Sequence, residues 1–92
     1  MAKITVMIYT TLREKLGFSR TELEGRTVSE LLLKLAVSGN KNISEILFAD
    51  NGDVKNHFVL ALNSEIVDNK KTKKAKVKAG DVLRVFPPVS GG

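Results

Sequence analysis

One segment has the pattern of a complete amphipathic helix and limits how the rest of the chain can fold. Thr27 and Glu30 form a capping-box pattern at its start, and Gly39 is placed to end it. A single stripe of this kind packs well across one face of a sheet. Its apolar residues fall at the three- and four-residue intervals of one helix face: Val28, Leu31, Leu32, Leu35 and Ala36.

The segments around this helix have the patterns of strands. Ile4, Val6 and Ile8 alternate with their neighbours, as in a strand with one face on a core. We expect further strands at residues 18–23, 57–62, 66–67 and 82–86. The strand at residues 18–23 should run antiparallel to the strand that contains Ile4, Val6 and Ile8. Residues 57–62 are apolar on both faces, so that strand should lie inside the sheet or have its second face covered by another part of the molecule. The order predicts an α+β fold with a mixed sheet and one main helix across it.

Shorter elements fill the connections. A helical turn should end at Gly17 after the first strand, and the pattern beginning at Asn42 predicts a second, short helix. Residues 50–53 (DNGD) predict a turn, because the glutamate that would close a calcium loop is absent.

The composition fits one small globular domain. The chain has 92 residues, of which 42% are hydrophobic and 27% charged, too apolar for disorder. It has no cysteine, which excludes a disulfide, a thiolate nucleophile and a cysteine metal site. No stretch has the apolar run of a signal peptide or a membrane span, so we expect a cytoplasmic protein with no membrane partner.

Positive charge is concentrated in residues 70–78, which we call the lysine segment. The net charge is +5; without the six lysines of this segment, nine basic residues would face ten acidic ones, a net charge of −1. The segment is either a solvated loop that discourages strand pairing at an edge, or a surface that steers an acidic partner or RNA. It has no aromatic residue to stack on bases, so we expect no nucleic-acid partner.

No catalytic motif is evident in the body of the chain. His57 has no acid or serine partner that spacing reveals, and we interpret it as a structural residue at a strand start. Glu22 and Glu24 share one side of a predicted strand, where exposed acid pairs are common, so a general acid–base role has little support. There is neither a phosphate loop nor a dinucleotide glycine pattern, and we predict no metal site and no tightly bound cofactor.

The chain ends RVFPPVSGG. Pro87 and Pro88 fix φ and remove two backbone donors, so the chain should leave the sheet as a stiff extended arm that reaches about 15 Å. Gly91 and Gly92 would present a carboxylate on backbone without side chains, which fits a narrow channel. A carboxylate is a poor electrophile, so it would need activation, for instance as an acyl-adenylate, before a sulfur or amine nucleophile attacked it.

Four stretches carry a resemblance: LREKLG after the first strand, the capped leucine helix, LFADNGDVKNHFVLALN and GDVLRVFPPVSGG. Together they resemble the MoaD/ThiS family of ubiquitin-like sulfur carriers, and within it the small subunits of molybdopterin synthase. The likeness covers residues 4–92, and Phe-Pro-Pro before Gly-Gly is its most specific part. It implies a β-grasp fold, with a domain at residues 1–87 and an extended flexible tail at residues 88–92.

The resemblance also implies a chemistry for the tail. In this family a MoeB-like adenylyltransferase, related to the ubiquitin-activating enzymes, uses ATP and Mg²⁺ to adenylate the terminal glycine. A sulfur donor such as a cysteine desulfurase or rhodanese then forms a thiocarboxylate. The tail enters a MoaE-like large subunit in a heterotetramer and gives sulfur to precursor Z, a cyclic pyranopterin monophosphate, for the molybdenum or tungsten cofactor. On this basis Gly92 carries the sulfur, Gly91 permits access, and the carrier is not an enzyme on its own.

The last strand predicts where the partner would bind. If residues 83 and 85 face the core helix, the alternate residues lie on the opposite face with alternate residues of the strand at 57–62. They would form an exposed apolar patch beside the arm, the expected anchor for the large subunit. The predicted interface comprises Val59, Ala61, Arg84, Phe86, Pro87, Pro88, Val89 and Ser90.

Two features depart from the family pattern and keep alternatives open. Many relatives have Asn-Gly where this chain has Asn63-Ser64, which implies a different turn, and the lysine segment stands where they have a shorter or more mixed link. The same fold serves carriers for thiamine synthesis or tRNA thiolation, and protein modifiers joined through Gly92 to lysines of their targets. Phe-Pro-Pro favours the molybdopterin carriers over the thiamine carriers. A non-catalytic interaction module with an idle tail is the remaining alternative.

Overall fold

The computed structural model describes residues 2–9, 17, 19–38 and 42–86. In chain order, the strands and helices of this part are β1 (Ala2–Ile8), β2 (Arg20–Gly25), α1 (Val28–Ser38), α2 (Asn42–Leu47), β3 (Val59–Leu62), β4 (Glu65–Val67) and β5 (Val82–Phe86).

The strands form one mixed sheet in the order β2-β1-β5-β3-β4. β1 and β5 run parallel at its centre, with Val6 beside Leu83, and the other pairs are antiparallel. β3 lies between β5 and β4, so the prediction of an interior strand is confirmed. β4 is the brief strand expected after the turn at residues 63–64.

The core lies between this sheet and the two helices. Ile4, Val6 and Ile8 of β1 are buried, as their alternation predicts, and Leu83 and Val85 of β5 are buried beside them. Each large apolar side chain fully buried in this way stabilises the fold by about 1.5–3 kcal/mol. The helix stripe is confirmed, because all five of its residues belong to the core: Val28, Leu31, Leu32, Leu35 and Ala36.

The start of α1 follows the predicted cap. The Thr27 hydroxyl accepts a hydrogen bond from the Glu30 backbone N–H at 3.2 Å, and the Thr27 carbonyl accepts from the Leu31 N–H at the same distance. The first bond satisfies one of the donors that a helix N-terminus leaves without a partner within the helix, and the second is the first regular hydrogen bond of the helix. The helix therefore begins where the threonine was expected to begin it.

Several strand boundaries differ from the predictions by one or two residues. β2 was expected at residues 18–23 but runs to Gly25, because its pairing with β1 continues until Gly25 lies opposite Ala2. A side chain at Gly25 would meet Leu31 at 3.1 Å, so glycine allows β2 to approach α1 closely. β3 begins at Val59 rather than at residue 57, because the Phe58 N–H donates to the Lys55 carbonyl in a turn.

The turn at residues 50–53 and the short helix α2 are both confirmed. The side-chain oxygen of Asn51 accepts from the Asp53 N–H at 3.0 Å, and Gly52 has a φ of 90°, which suits glycine. The helical turn before Gly17, the helix end at Gly39 and the arm from Pro87 lie outside the described residues. Within the described part, neither helix is long and apolar enough to cross a membrane.

Candidate functional site

The sheet has a second face, opposite the helices, which we call the outer face. Successive side chains of a strand point to opposite faces, so the residues that alternate with the buried ones lie here. The outer face comprises Lys3, Thr5, Met7, Tyr9, Arg20, Glu22, Glu24, Val82, Arg84, Phe86, Val59, Ala61 and Ile66. The structure therefore confirms that Leu83 and Val85 face the core while their neighbours in β5 lie on the outer face.

An aromatic pair lies at the end of the outer face where β5 finishes. The rings of Tyr9 and Phe86 stack with centroids 4.7 Å apart and an angle of 10° between their planes. Val59, which is 44% exposed, lies opposite Phe86 in the neighbouring strand. Tyr9, Phe86 and Val59 thus make an apolar row across three neighbouring segments, which we call the aromatic row. Such a row is suited to an apolar partner surface.

A second row crosses the face beside it. Met7, Arg84, Ala61 and Ile66 are neighbours in register on four successive strands. Ile66 is 71% exposed, but Ala61 is only 8% exposed, because its short side chain lies between the longer ones of Arg84 and Ile66. The prediction of Ala61 as an exposed member of the patch is therefore wrong.

Arg84 is held in place on this face. Its guanidinium donates to the backbone carbonyl of Asn63 at 3.2 Å, which directs the side chain along the outer face. Asn63 also bonds both to the start of β5, through the Val82 N–H at 3.0 Å, and to the Asp81 carboxylate at 3.2 Å. The bond to the Asn63 carbonyl holds the Arg84 guanidinium toward the Val82 end of the outer face, away from the aromatic row.

The outer face leads directly into the tail. Phe86 is the last residue of β5, and the chain continues from it into Pro87. The predicted site residues Pro87, Pro88, Val89, Ser90, Gly91 and Gly92 lie outside the described residues, so their roles stay predictions. What the structure brings together is the part of the predicted interface at Val59, Arg84 and Phe86.

The other candidates for chemistry lie apart from this face or are spread over it. Glu22 and Glu24 are exposed and lie opposite Thr5 and Lys3. His57 is exposed in the turn before β3, where its ring is tilted against Phe58 at 6.3 Å. Among the described residues there is no group of three or more His, Cys, Asp and Glu side chains placed to hold a metal ion.

Tyr9 is a residue that the sequence reasoning missed. It follows Thr5 and Met7 at two-residue spacing, so the alternation of β1 already placed it on the outer face. Its stacking on Phe86 depends on the parallel pairing of β1 and β5, which joins residues far apart in the sequence.

The family model of ThiS proteins matches residues 6–92 of the chain. The chain belongs to the ThiS family. The molecule therefore has the β-grasp fold and belongs with the ubiquitin-like sulfur carriers and modifiers. The small carriers of the ThiS family are not enzymes in themselves.

Three solved structures illustrate the range of relatives. SAMP1 from Haloferax volcanii is 26% identical with a TM-score of 0.84, over 99% of this chain and 100% of that one. A protein from Pyrococcus furiosus described as molybdopterin converting factor subunit 1 is 27% identical with a TM-score of 0.70, and the match covers 97% of this chain and 100% of that one. A chain of the BexX/CysO complex from Amycolatopsis orientalis is 28% identical with a TM-score of 0.79, and the match covers 97% of this chain and 99% of that one. No curated protein sequence matches this ThiS-family chain.

Proposed function

We propose that this chain is the sulfur carrier subunit of a molybdopterin synthase. The observation that carries the proposal is the position of Phe86, which stacks on Tyr9 in the aromatic row and is followed at once by Pro87. A large subunit that held the outer face would receive the tail from a defined starting point. The MoaE-like subunit is the partner for this face, in a heterotetramer in the cytoplasm.

The tail chemistry needs two outside enzymes. On a MoeB-like adenylyltransferase, a carboxylate oxygen of Gly92 attacks the α-phosphorus of ATP, with Mg²⁺ on the phosphates, and pyrophosphate leaves. The terminal sulfur of a donor persulfide then attacks the acyl carbon and AMP leaves, which gives an acyl disulfide. A second thiol attacks the donor's cysteine sulfur, forms a disulfide with it and so releases the thiocarboxylate on Gly92. The chain has no cysteine, so the sulfur comes from a donor such as a cysteine desulfurase or rhodanese.

The carrier then donates its sulfur within the synthase. Gly91 permits access to the reacting end, Pro87 and Pro88 project the arm, and Val89 and Ser90 link them. Precursor Z, the cyclic pyranopterin monophosphate, accepts the sulfur on the way to the molybdenum or tungsten cofactor. The likeness to the Pyrococcus furiosus protein described as molybdopterin converting factor subunit 1 supports this acceptor.

A second candidate is a protein modifier joined through Gly92 to lysines of its targets. It is favoured by the likeness to the SAMP1 structures, described as small archaeal modifier proteins, one of which has a TM-score of 0.84. The two functions share the activated Gly92 carboxylate and differ in the nucleophile, which is sulfur for the carrier and a lysine amine for the modifier.

Mass spectrometry of the C-terminal peptide tests the proposal. Protein isolated from its own cells is treated with a thiol-alkylating reagent and digested, and the peptide rather than the intact protein is measured so that oxidised methionine is not mistaken for sulfur. A thiocarboxylate at Gly92, together with molybdopterin formed from precursor Z when large subunit is added, supports the synthase. An ordinary carboxylate in cells that make the cofactor would contradict it. Conjugates of higher mass that disappear when Gly92 is deleted would favour the modifier.

A further inference from the structure

The lysine segment is a folded part of the domain. The carbonyls of Ala75 and Thr72 accept the backbone N–H groups of Val28 and Ser29, the first two residues of α1, at 2.9 and 3.1 Å. The Val77 N–H donates to the Arg26 carbonyl at 3.0 Å. The segment is therefore fixed along the beginning of α1 by backbone bonds that depend on no lysine side chain.

Its side chains divide into two sets. Thr72 is 6% exposed, while Ala75 and Val77 pack against the core. All six lysines of the segment are exposed, and none has a carboxylate within 4.0 Å among the described residues. The anchoring residues thus leave six lysine side chains exposed along the segment: Lys70, Lys71, Lys73, Lys74, Lys76 and Lys78.

Residues 75–78 of the segment lie at the end of the sheet away from the aromatic row, where Lys76 pairs with Thr27, whereas Lys70 lies near His57. Asp81 closes the connection and β5 begins at Val82, whereas the aromatic row contains Phe86. The five residues of β5 span about 13 Å at strand spacing. The Gly80 N–H donates to the carbonyl of Lys3, near the start of β1, which places the segment beside the first residues of the central strands. A protein bound to the lysines would leave the outer face at Phe86 accessible.

The concentration of charge works against the fold. Like charges held on one surface repel one another, and the positive end of the α1 dipole adds to the same potential. The hydrogen bonds that anchor the segment would form equally well with neutral side chains at the six positions. Packing of the segment therefore does not account for its six lysines.

We propose that the lysine segment is a docking surface for an acidic patch on a partner protein, separate from the partner that receives the tail. A surface held in place by backbone bonds loses little freedom on binding, which favours a preformed complementary face. Nucleic acid fits less well, because the segment has neither an aromatic side chain for base stacking nor an arginine for bidentate phosphate contacts.

Titration with an oligoglutamate peptide, followed by amide chemical shifts of the full chain, tests this surface. We expect the shifts at residues 70–78 to move, those of Phe86 and Val59 to stay, and the affinity to fall as salt rises. Lys73→Gln with Lys74→Gln should weaken binding roughly fivefold or more at low ionic strength. The matched control removes the same charge elsewhere, through Arg20→Gln at the far end of β2 with Lys34→Gln on α1, and should change the affinity less than twofold, within about 0.4 kcal/mol.

Three outcomes would overturn the proposal. Absence of binding at low salt would remove it, as would equal weakening by the two pairs of substitutions, which would indicate a response to net charge alone. Tighter binding of a DNA duplex than of oligoglutamate at physiological ionic strength would assign the surface to nucleic acid. None of these readouts involves Gly92, so they are independent of the sulfur-carrier test.

Discussion

Phe86 lies flat against Tyr9, with ring centroids 4.7 Å apart and planes 10° from parallel. One ring belongs to the end of β5 and the other follows β1, so the stack joins the two central strands at the point where the tail begins. The same two rings form the aromatic row beside that point together with Val59. This contact therefore has a structural part and a binding part, which separate experiments can measure.

The structural part predicts a coupling between the two rings. A double-mutant cycle with Phe86→Ala and Tyr9→Ala should give about 0.5–1.5 kcal/mol of interaction energy in the free energy of unfolding, as for other aromatic pairs. Both single variants should keep the native circular dichroism spectrum, since neither ring is among the fully buried core side chains. Strictly additive effects in urea unfolding would show that the stack contributes nothing.

The binding part predicts a loss of affinity for the large synthase subunit. Phe86→Ala should weaken that complex about tenfold or more in calorimetry, because a central aromatic side chain on an interface contributes more than 1 kcal/mol. Leu33→Ala serves as the control, since Leu33 is 53% exposed on α1, on the other side of the sheet. An unchanged affinity for Phe86→Ala would remove the outer face as the anchor.

The same substitution at two leucines of α1 should change the free energy of unfolding by very different amounts. Leu35 is fully buried in the core and Leu33 is exposed. Leu35→Ala should lower the free energy of unfolding by about 2–5 kcal/mol through lost burial and a cavity, whereas Leu33→Ala should change it by about 0.5 kcal/mol or less. Thermal or urea unfolding of the pair measures this difference directly. Similar losses for both would mean that the helix packs with a different face inward.

Asn63 has a φ of 57°, in the left-handed region where glycine is favoured. Asn63→Gly and Asn63→Ala both remove the side-chain bonds to Val82 and Asp81. Only the alanine variant adds backbone strain, so the free energy of unfolding of Asn63→Ala should be lower than that of Asn63→Gly by about 1 kcal/mol in urea unfolding. Equal stability of the two variants would show that the turn relaxes out of this conformation.

The sequence was most informative where burial is periodic. The stripe of α1 and the alternation of β1 were predictable because a core on one side imposes the same spacing on any chain. The end of β2 at Gly25 was not, because it depends on pairing with Ala2, which no local pattern records. The anchoring of the lysine segment could not be predicted either, because it uses the backbone carbonyls of Thr72 and Ala75, and every residue type has such a carbonyl.

The candidate site divides in the same way. Val59, Arg84 and Phe86 were placed correctly from strand parity alone. Ala61 was wrongly expected to be exposed, because the alternation along a strand gives the direction of a side chain but not the size of its neighbours, which here cover it. The chemistry expected of Gly92 came from resemblance to a family, because no pattern of burial distinguishes a reactive carboxylate from an idle one.

The central position of β5 has a consequence for how the protein is made. Without residues 82–86 the sheet separates into two hairpins, β1–β2 and β3–β4, with no strand to join them. Strand pairing between these hairpins therefore waits until β5 has left the ribosome, and contacts of such long sequence separation form slowly. The strand that completes the domain is also the one that continues into the tail. An activating enzyme that recognises the folded domain would therefore never meet an unfinished carrier.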